Sequence, residues 1–286
     1  MQFSFFSIAR RAAALAIAIT FGAATLPLVA RADDPAPGEI VEPTPPAVVA
    51  RMSMAQGDVA IGRGDASNAL AAAVNAPLLA GDFVTTGANA RAEIQVDGAT
   101  LVRAGSDVQM RLERLDDHDR AIALAAGTIN LRLLQDAAPA EIDTPSITVQ
   151  ARDAGSYRVN VSSDGTTQVT VREGRAAIVM PTSTRELAPG VTLVAQGPST
   201  APEIQEVAAV ALDDFDRFNE DRDHAYAVAV APPNVQAGPR SAQMPSYASP
   251  DVAGLNDLAD NGQWVDDGTY GDVWIPNEPA GWAPYH

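Results

Sequence analysis

Apolar and polar residues alternate in short runs through the middle of the chain, from about Met52 to Gly197. Within each run every second residue is apolar, a period typical of a β-strand with one buried face and one wet face. The apolar members are Ala92, Ile94 and Val96; Val108, Met110 and Leu112; Ile129, Leu131 and Leu133; Tyr157, Val159 and Val161; and Val169 and Val171. The pattern therefore predicts many short strands.

Glycine and Asp-Gly steps separate these runs. Asp97-Gly98 and Asp164-Gly165 supply residues that tolerate the positive φ of a tight hairpin turn. Helical segments of roughly 10 to 15 residues, which a doubly wound fold would need, do not interrupt the runs. We therefore predict an all-β fold, an antiparallel β sandwich or roll of many short strands.

The period of the pattern changes after Pro202. The apolar residues at helical spacing are Val207, Val210, Ala211, Leu212, Phe215 and Phe218. The acidic residues between and after them are Asp213, Asp214, Asp216, Glu220, Asp221 and Asp223. This pattern predicts one amphipathic helix within residues 201–230. The acidic residues lack the glycine-containing loop of an EF-hand, so we interpret them as a solvated helix face rather than a calcium site.

The N-terminal segment is typical of an export signal. Arg10-Arg11 precedes an apolar run from Ala12 to Val29, and Ala30-Arg31-Ala32 provides a small-residue cleavage site. We expect a signal peptide over residues 1–32 and a periplasmic or secreted location in a Gram-negative envelope. Two alternatives stay open: an uncleaved anchor, because the run is long, and a twin-arginine signal, which the alanines after the arginine pair match weakly.

Composition divides the rest of the chain. Residues 33–51 are rich in proline and acid and predict a linker, and residues 231–252 predict a second one. Between them we expect the β domain over residues 52–200, followed by the helix. A small tail module over residues 253–286 holds all three tryptophans.

Charge and cysteine content exclude several classes of function. The formal net charge is −17, so the surface repels phosphate backbones and nucleic-acid binding is not expected. The chain has no cysteine, which excludes disulfides, thiolate metal sites and a cysteine nucleophile. Every basic residue is arginine, which we interpret as a compositional bias of the genome.

The sequence nominates no catalytic, cofactor-binding or metal site. It lacks the Gly-x-Ser-x-Gly, P-loop, dinucleotide and His-Glu-x-x-His motifs. His118 lies among aspartates between two strand runs, which predicts a solvated hairpin loop better than a metal site. We therefore expect no enzyme, with a hydrolase of unrecognised site as a minor alternative.

Spaced residues through the β region resemble a FecR domain. They are Gly57-Asp58-Val59, Leu79-x-Gly81-Asp82-x-Val84-x-Thr86-Gly87, Ala92-x-Ile94, Asp97-Gly98, Gly127, Asp143-Thr144-Pro145-Ser146, Tyr157-x-Val159, Val169-x-Val171-x-x-Gly174 and Leu187-x-x-Gly190. The resemblance implies a periplasmic all-β module. FecR itself is a membrane-spanning regulator that controls a sigma factor through a cytoplasmic N-terminal segment. Since only about eleven residues precede the apolar run, we do not expect sigma-factor regulation by this chain.

The tail resembles a Trp, Tyr and Pro-rich domain of unknown function that accompanies FecR domains in secreted proteins. The residues that could carry recognition there are Trp264, Tyr270, Trp274, Trp282 and Tyr285. Their rings offer flat faces that stack on sugars or proline-rich peptides. The competing interpretation is that the tryptophans form a mini-core of the module.

Together these features favour a non-catalytic exported envelope protein, an interaction, scaffold or sensor module that works through its FecR-like β domain. Exposed strand edges there would allow a partner strand to add. The alternative is cell-wall or polysaccharide binding through the aromatic tail. The expected partner is therefore an envelope protein or a cell-wall glycan, with no cofactor, no nucleic acid and no stable membrane insertion after signal cleavage.

Overall fold

The computed structural model describes residues 48–64, 68–116, 118–230, 254, 257–258 and 261–277. The predicted signal peptide, most of the first linker, the whole 231–252 linker, and Trp282 and Tyr285 lie outside these ranges.

Within the described ranges the chain forms nineteen strands and one helix. The strands before the helix are β1 (Ala50–Gln56), β2 (Val59–Gly62), β3 (Ala69–Ala71), β4 (Pro77–Leu78), β5 (Phe83–Thr86), β6 (Arg91–Gln95), β7 (Thr100–Ala104), β8 (Gln109–Leu115), β9 (Arg120–Leu133), β10 (Ala140–Asp143), β11 (Thr148–Ala151), β12 (Gly155–Val161), β13 (Thr167–Glu173), β14 (Ala176–Met180), β15 (Ser183–Leu187), β16 (Val191–Gln196) and β17 (Glu203–Ala208). Helix α1 (Asp214–Val230), β18 (Gly262–Asp267) and β19 (Gly271–Pro276) follow.

The strands before α1 pair into two sheets that share β9. Sheet A has the order β4-β1-β6-β7-β9-β12-β13-β16-β17. Sheet B has the order β3-β2-β5-β8-β9-β10-β11-β14-β15. All of these pairings are antiparallel except that of β9 with β10. The first half of β9 lies in sheet B and its second half in sheet A.

Strand β9 changes sheet at Gly127. That residue has φ +87°, and a Cβ built on it would lie 2.6 Å from Val108 Cα and 2.7 Å from the Asp107 carbonyl oxygen. Only glycine tolerates both the positive φ and this close approach of backbone.

One continuous apolar core lies between the sheets and is made of the alternating residues that the sequence singled out. Its fully buried members include Met52, Ile94, Leu112, Ile122, Ile129, Leu131, Ile142, Tyr157, Val159, Val169, Ile178 and Leu193. Because every second residue of a strand faces the same side, period-two runs on both sheets bury one face each. The predicted all-β sandwich with one following helix is confirmed.

The other face of sheet A differs from the sequence expectation. We expected the second face of every run to be wet, but Glu93, Gln95, Arg103 and Asn130 are buried although they are polar. Helix α1 contacts this face, because Asp216 binds arginines of β12 and β13. Sheet A is therefore covered on both faces in this region.

The predicted helix begins later than expected. Residues Glu203–Ala208 form strand β17, paired with β16 along its whole length, and not the first turns of the helix predicted within residues 201–230. The sequence pattern places Val207 in the helix because it lies at helical spacing from Val210 and Ala211. In the structure it is a strand residue, and its neighbour Ile204 packs against the core. The helix starts at Asp214 because the Asp213 carboxylate accepts hydrogen bonds from the Phe215 and Asp216 amides, at 2.9 and 3.0 Å.

The expected domain bounds stay a prediction, although the strands run past both ends of the expected β domain, from Ala50 to Ala208.

In the tail, β18 and β19 form an antiparallel hairpin. Across the described ranges no helix combines the length and apolar character that a membrane crossing requires.

Candidate functional site

Four arginines lie together on the face of sheet A that α1 covers. They are Arg103 on β7, Arg132 on β9, Arg158 on β12 and Arg172 on β13, and we call them the arginine face. Cross-strand register explains their proximity, because Arg103 and Arg158 are both partners of Asn130. Residues opposite one another on adjacent strands point to the same side of the sheet.

Helix α1 places a carboxylate between two of these arginines. Asp216, which is only 4% exposed, accepts hydrogen bonds from Arg158 Nη1 at 2.6 Å and from Arg172 Nη2 at 2.8 Å. Arg158 also binds both oxygens of Asp213, at 2.8 and 2.6 Å. Charge-assisted pairs of this kind are the strong ones in proteins. The expected solvated helix face is therefore wrong for Asp216 and holds for Asp213, Asp214, Glu220 and Asp221, which are exposed.

A second group of charges centres on Arg103, which is fully buried. Its Nε donates to Glu93 Oε2 at 2.7 Å, and its Nη1 donates to the Asn219 carbonyl at 3.1 Å. The same nitrogen lies 2.6 Å from Asp223 Oδ1, an ion pair too bent for a hydrogen bond. Arg222 of the helix donates to both oxygens of Glu93. Glu93, on β6, thus binds one arginine of β7 and one arginine of the helix.

These contacts shift the pKa of the groups involved. Burial alone would raise the pKa of Glu93, but the hydrogen bond from Arg222 and the charge of Arg103 outweigh it and lower the pKa to about 2. The hydrogen bond from Arg158 also lowers the pKa of Asp213. Burial would lower the pKa of Arg158, yet the carboxylates of Asp213 and Asp216 raise it. All three groups are therefore charged at neutral pH.

Two phenylalanines accompany the charged contacts. The rings of Phe215 and Phe218 stack at 6.1 Å, and the Arg91 guanidinium lies 4.7 Å from the centre of the Phe218 ring. Phe215 lies over Gly105, where a Cβ would come within 3.6 Å of its ring. Phe215 therefore packs directly on the backbone of β7's end at Gly105.

The two sheets end in four edge strands, β4 and β17 in sheet A and β3 and β15 in sheet B. They differ in how they are protected against pairing with another chain. Strands β15 and β17 carry charges, and Arg185 of β15 binds Glu206 of β17 at 2.9 Å. Strand β4 is two residues long and begins with Pro77. Charge, proline and short length all discourage pairing with another chain.

Strand β3 is also short, at three residues, but it carries neither a charge nor a proline. The chain from Asn68 to Ala80 contains no charged residue, and Leu70 at its centre is 71% exposed. Among the described strands β3 pairs with β2 alone. The Ala72 amide donates to the Val59 carbonyl at 2.8 Å, so by alternation the backbone groups of Ala69 and Ala71 face away from β2.

The aromatic residues predicted for recognition divide into three sets. Trp264 and Trp274 are cross-strand partners in the β18–β19 hairpin and are half-buried. The Trp274 ring lies against Gly262, and its Nε1 donates to the Leu258 carbonyl at 3.1 Å. Tyr270 is 81% exposed in the hairpin turn. Trp282 and Tyr285 lie outside the described residues, and a recognition role for any of the five stays a prediction.

The segment before the tail hairpin contacts sheet A at Arg51 and Gln95. Arg51 of β1 donates to Asp257 at 2.7 Å and to Gln95 at 2.8 Å, and Gln95 in turn accepts from the Gly254 amide.

His118 lies exposed in the β8–β9 hairpin loop. In the described part of the chain no three His, Asp or Glu side chains come close enough to hold a metal ion.

Residues 82–177 match the FecR protein family model. The resemblance to FecR is therefore confirmed over this stretch, from the end of the β4–β5 connection to the start of β14. Outside it the FecR-like extension to residues 52–200 stays a prediction.

Two crystal structures of a "putative anti-sigma factor" from Parabacteroides distasonis ATCC 8503 are similar to the chain. The identities are 20% and 19%, each with a TM-score of 0.39, and each match covers 45% of this chain and 60% of that chain. The chain thus spans less than two thirds of those proteins, and the likeness is too low to carry a functional argument. No curated protein matches the chain.

The FecR match includes all four arginines of the arginine face and Glu93, and it stops before α1. The sequence interpretation missed this cluster because it treated arginine as a compositional bias. One signal was present: Arg103, Arg132 and Arg158 occupy the non-apolar positions of runs that alternate. The second half of the signal was the pair Asp216 and Asp223, which lie at helical spacing and provide carboxylates for these arginines.

Proposed function

We propose that the chain is an exported, non-catalytic envelope protein whose β domain binds a partner protein by accepting one of its strands at β3. The FecR match supports a signalling or interaction module rather than an enzyme. The observation that carries the choice of site is the uncharged, exposed edge at β3, whereas β15 and β17 carry charges and β4 begins with a proline.

Strand addition suits β3 for a physical reason. An added strand gains main-chain hydrogen bonds from the outward groups of Ala69 and Ala71, and side chains such as Leu70 give it apolar contacts. Unprotected apolar edges are ordinarily avoided because they promote aggregation. Retention of one in a chain of net charge −17 favours a partner that covers it.

The test uses a photo-crosslinking amino acid at position 70 of the full chain in intact cells. We expect one envelope protein to be captured and identified by mass spectrometry, and then to bind the purified chain directly. Ala71→Pro removes an outward amide while it leaves the Leu70 pairing with β2 intact. It should abolish both capture and binding.

The matched control places the same crosslinker at Thr184 on the charged edge strand β15, where we expect no capture of that protein. Binding that persists in Ala71→Pro, with the fold unchanged by circular dichroism, would remove β3 as the site. Absence of any specific capture at position 70 would also count against it.

A second candidate function is glycan binding by the tail, favoured by the exposure of Tyr270. Co-sedimentation of the full chain with purified sacculi tests it. Tyr270→Ala should reduce the bound fraction severalfold, whereas Thr269→Ala in the same turn should not. Trp274→Ala is a poorer choice because that ring also supports the hairpin.

A further inference from the structure

The interface between α1 and sheet A is polar where a permanent helix interface is normally apolar. A helix that belongs to a fold usually buries an apolar stripe against the sheet. Among the helix side chains that the structure describes, residues 214–227, the buried ones are Phe215, Asp216 and Asn219, and two of these three are polar. Below them a polar row crosses six strands, and its members are Glu93, Arg103, Asn130, Arg158, Thr170 and Thr192.

Several polar atoms in this interface are buried without a hydrogen-bond partner. They are both amide atoms of Asn219, Asn130 Oδ1 and Arg103 Nη2, in residues that are 5%, 1% and 0% exposed. Buried polar groups are ordinarily satisfied, and each exception carries a desolvation cost. Departure of α1 would return these atoms to solvent or to another set of partners.

The contacts that do form describe the ligand that this face prefers. Asp216 and Asp223 lie two turns apart on one side of the helix and bind all four arginines between them. Phe215 lies against Gly105 at the end of β7. The matching ligand is an acidic helix with two carboxylates at this spacing and an aromatic ring beside the first.

We propose that the arginine face is a docking surface for an acidic helical segment of a partner protein, and that α1 is the chain's own competitor for it. Charge complementarity supports the choice of partner, since the face concentrates four arginines in a strongly acidic chain. The surface is separate from β3 and does not depend on strand addition there.

The probe is a fluorescent peptide with the sequence of residues 211–227, added to the full chain. The tethered α1 competes at high effective concentration, so the wild-type chain should bind the peptide weakly. Asp216→Asn with Asp223→Asn weakens the tethered helix, and we expect at least tenfold tighter peptide binding. That binding should fall at least tenfold between about 50 and 300 mM NaCl, because salt screens the charges of the free peptide and the uncovered face before they meet.

Three controls make the result specific. Asp214→Asn, which changes an exposed carboxylate of the same helix turn, should leave peptide binding at the wild-type level. A peptide with both aspartates changed to asparagine should not bind. Arg158→Ala added to the double variant should abolish binding of the unchanged peptide.

The proposal is overturned if the double variant keeps a folded β domain by circular dichroism yet does not bind the peptide at low salt. Binding that is indifferent to Arg158 would overturn it as well. Hydrogen exchange adds a second measurement. The α1 amides should exchange faster than the β12 amides as salt rises. Equal protection of the two would show that α1 does not leave the arginine face and would contradict the proposal. A dimer that the peptide dissociates would assign the face to a second copy and contradict the partner-protein proposal.

Discussion

Arg158 on β12 and Asp216 on α1 form an ion pair at 2.6 Å, although 58 residues separate them along the chain. Arg172 shares the same carboxylate from the neighbouring strand. The helix is therefore held to the sheet by a carboxylate that two guanidinium groups enclose. Such an arrangement gives α1 a defined position while leaving its attachment dependent on charge.

Removal of the Asp216 charge should destabilise the helix attachment strongly. Asp216→Asn leaves Arg158 and Arg172 partly buried without their shared carboxylate, and we expect a loss of about 3 kcal/mol in the free energy of unfolding. Urea denaturation followed by circular dichroism measures it. Asp214→Asn, in the same turn but 82% exposed at the side chain, should change stability by less than about 0.5 kcal/mol. Equal effects of the two substitutions would contradict the role given to Asp216.

Acid should weaken the fold through Glu93. Its pKa is lowered in the folded chain from 4.5 to about 2, so its contribution is complete above pH 4.5 and is lost as the pH falls towards 2. The shift corresponds to about 3 kcal/mol. Denaturation midpoints measured across this window should fall less steeply in Glu93→Gln than in the wild-type chain.

Part of the acid response should survive in Glu93→Gln, because the pKa of Asp213 is also lowered by Arg158. Glu113→Gln, at an exposed position of β8, serves as the control and should follow the wild-type curve. An unchanged slope in Glu93→Gln would show that the Glu93 pairs are not formed in solution.

The strands of the core could be predicted from sequence because their information is local. Leu131 and Val159 alternate with polar neighbours, and alternation alone decides which face a side chain takes. The arginine face could not be predicted in this way, since Arg103, Arg158 and Asp216 meet only after the strand order is known. The start of α1 was missed for a related reason: Val207 lies at helical spacing from Val210 and Ala211, and only pairing with β16 makes it a strand residue.

A glycine at the bend of β9 should be irreplaceable. Gly127→Ala places a Cβ at 2.6 Å from Val108 Cα in a backbone with φ +87°, and we expect a loss of about 3 kcal/mol or more. Gly165→Ala is the matched control, because its φ is +83° but no atom lies within 4 Å of the added Cβ. It should cost only about 1 kcal/mol. Thermal unfolding of the two variants separates the cost of the steric clash from the cost of a positive φ. Similar losses of stability in both variants would mean that β9 moves at the bend and relieves the clash.

The tail hairpin should depend on Gly262 independently of the β domain. A Cβ at this position would lie 2.4 Å from the Ile275 carbonyl and 2.4 Å from the Trp274 ring, so Gly262→Ala should open the hairpin. All three tryptophans belong to the tail, and in a Trp282→Phe background the emission comes from Trp264 and Trp274 alone. We expect Gly262→Ala to shift this emission towards that of solvent-exposed tryptophan while the urea transition of the sheets is unchanged. Gly268→Ala, with no atom within 4 Å of its Cβ, should keep the wild-type emission. A simultaneous loss of the sheet transition would instead show that the hairpin and the sandwich unfold together through Arg51.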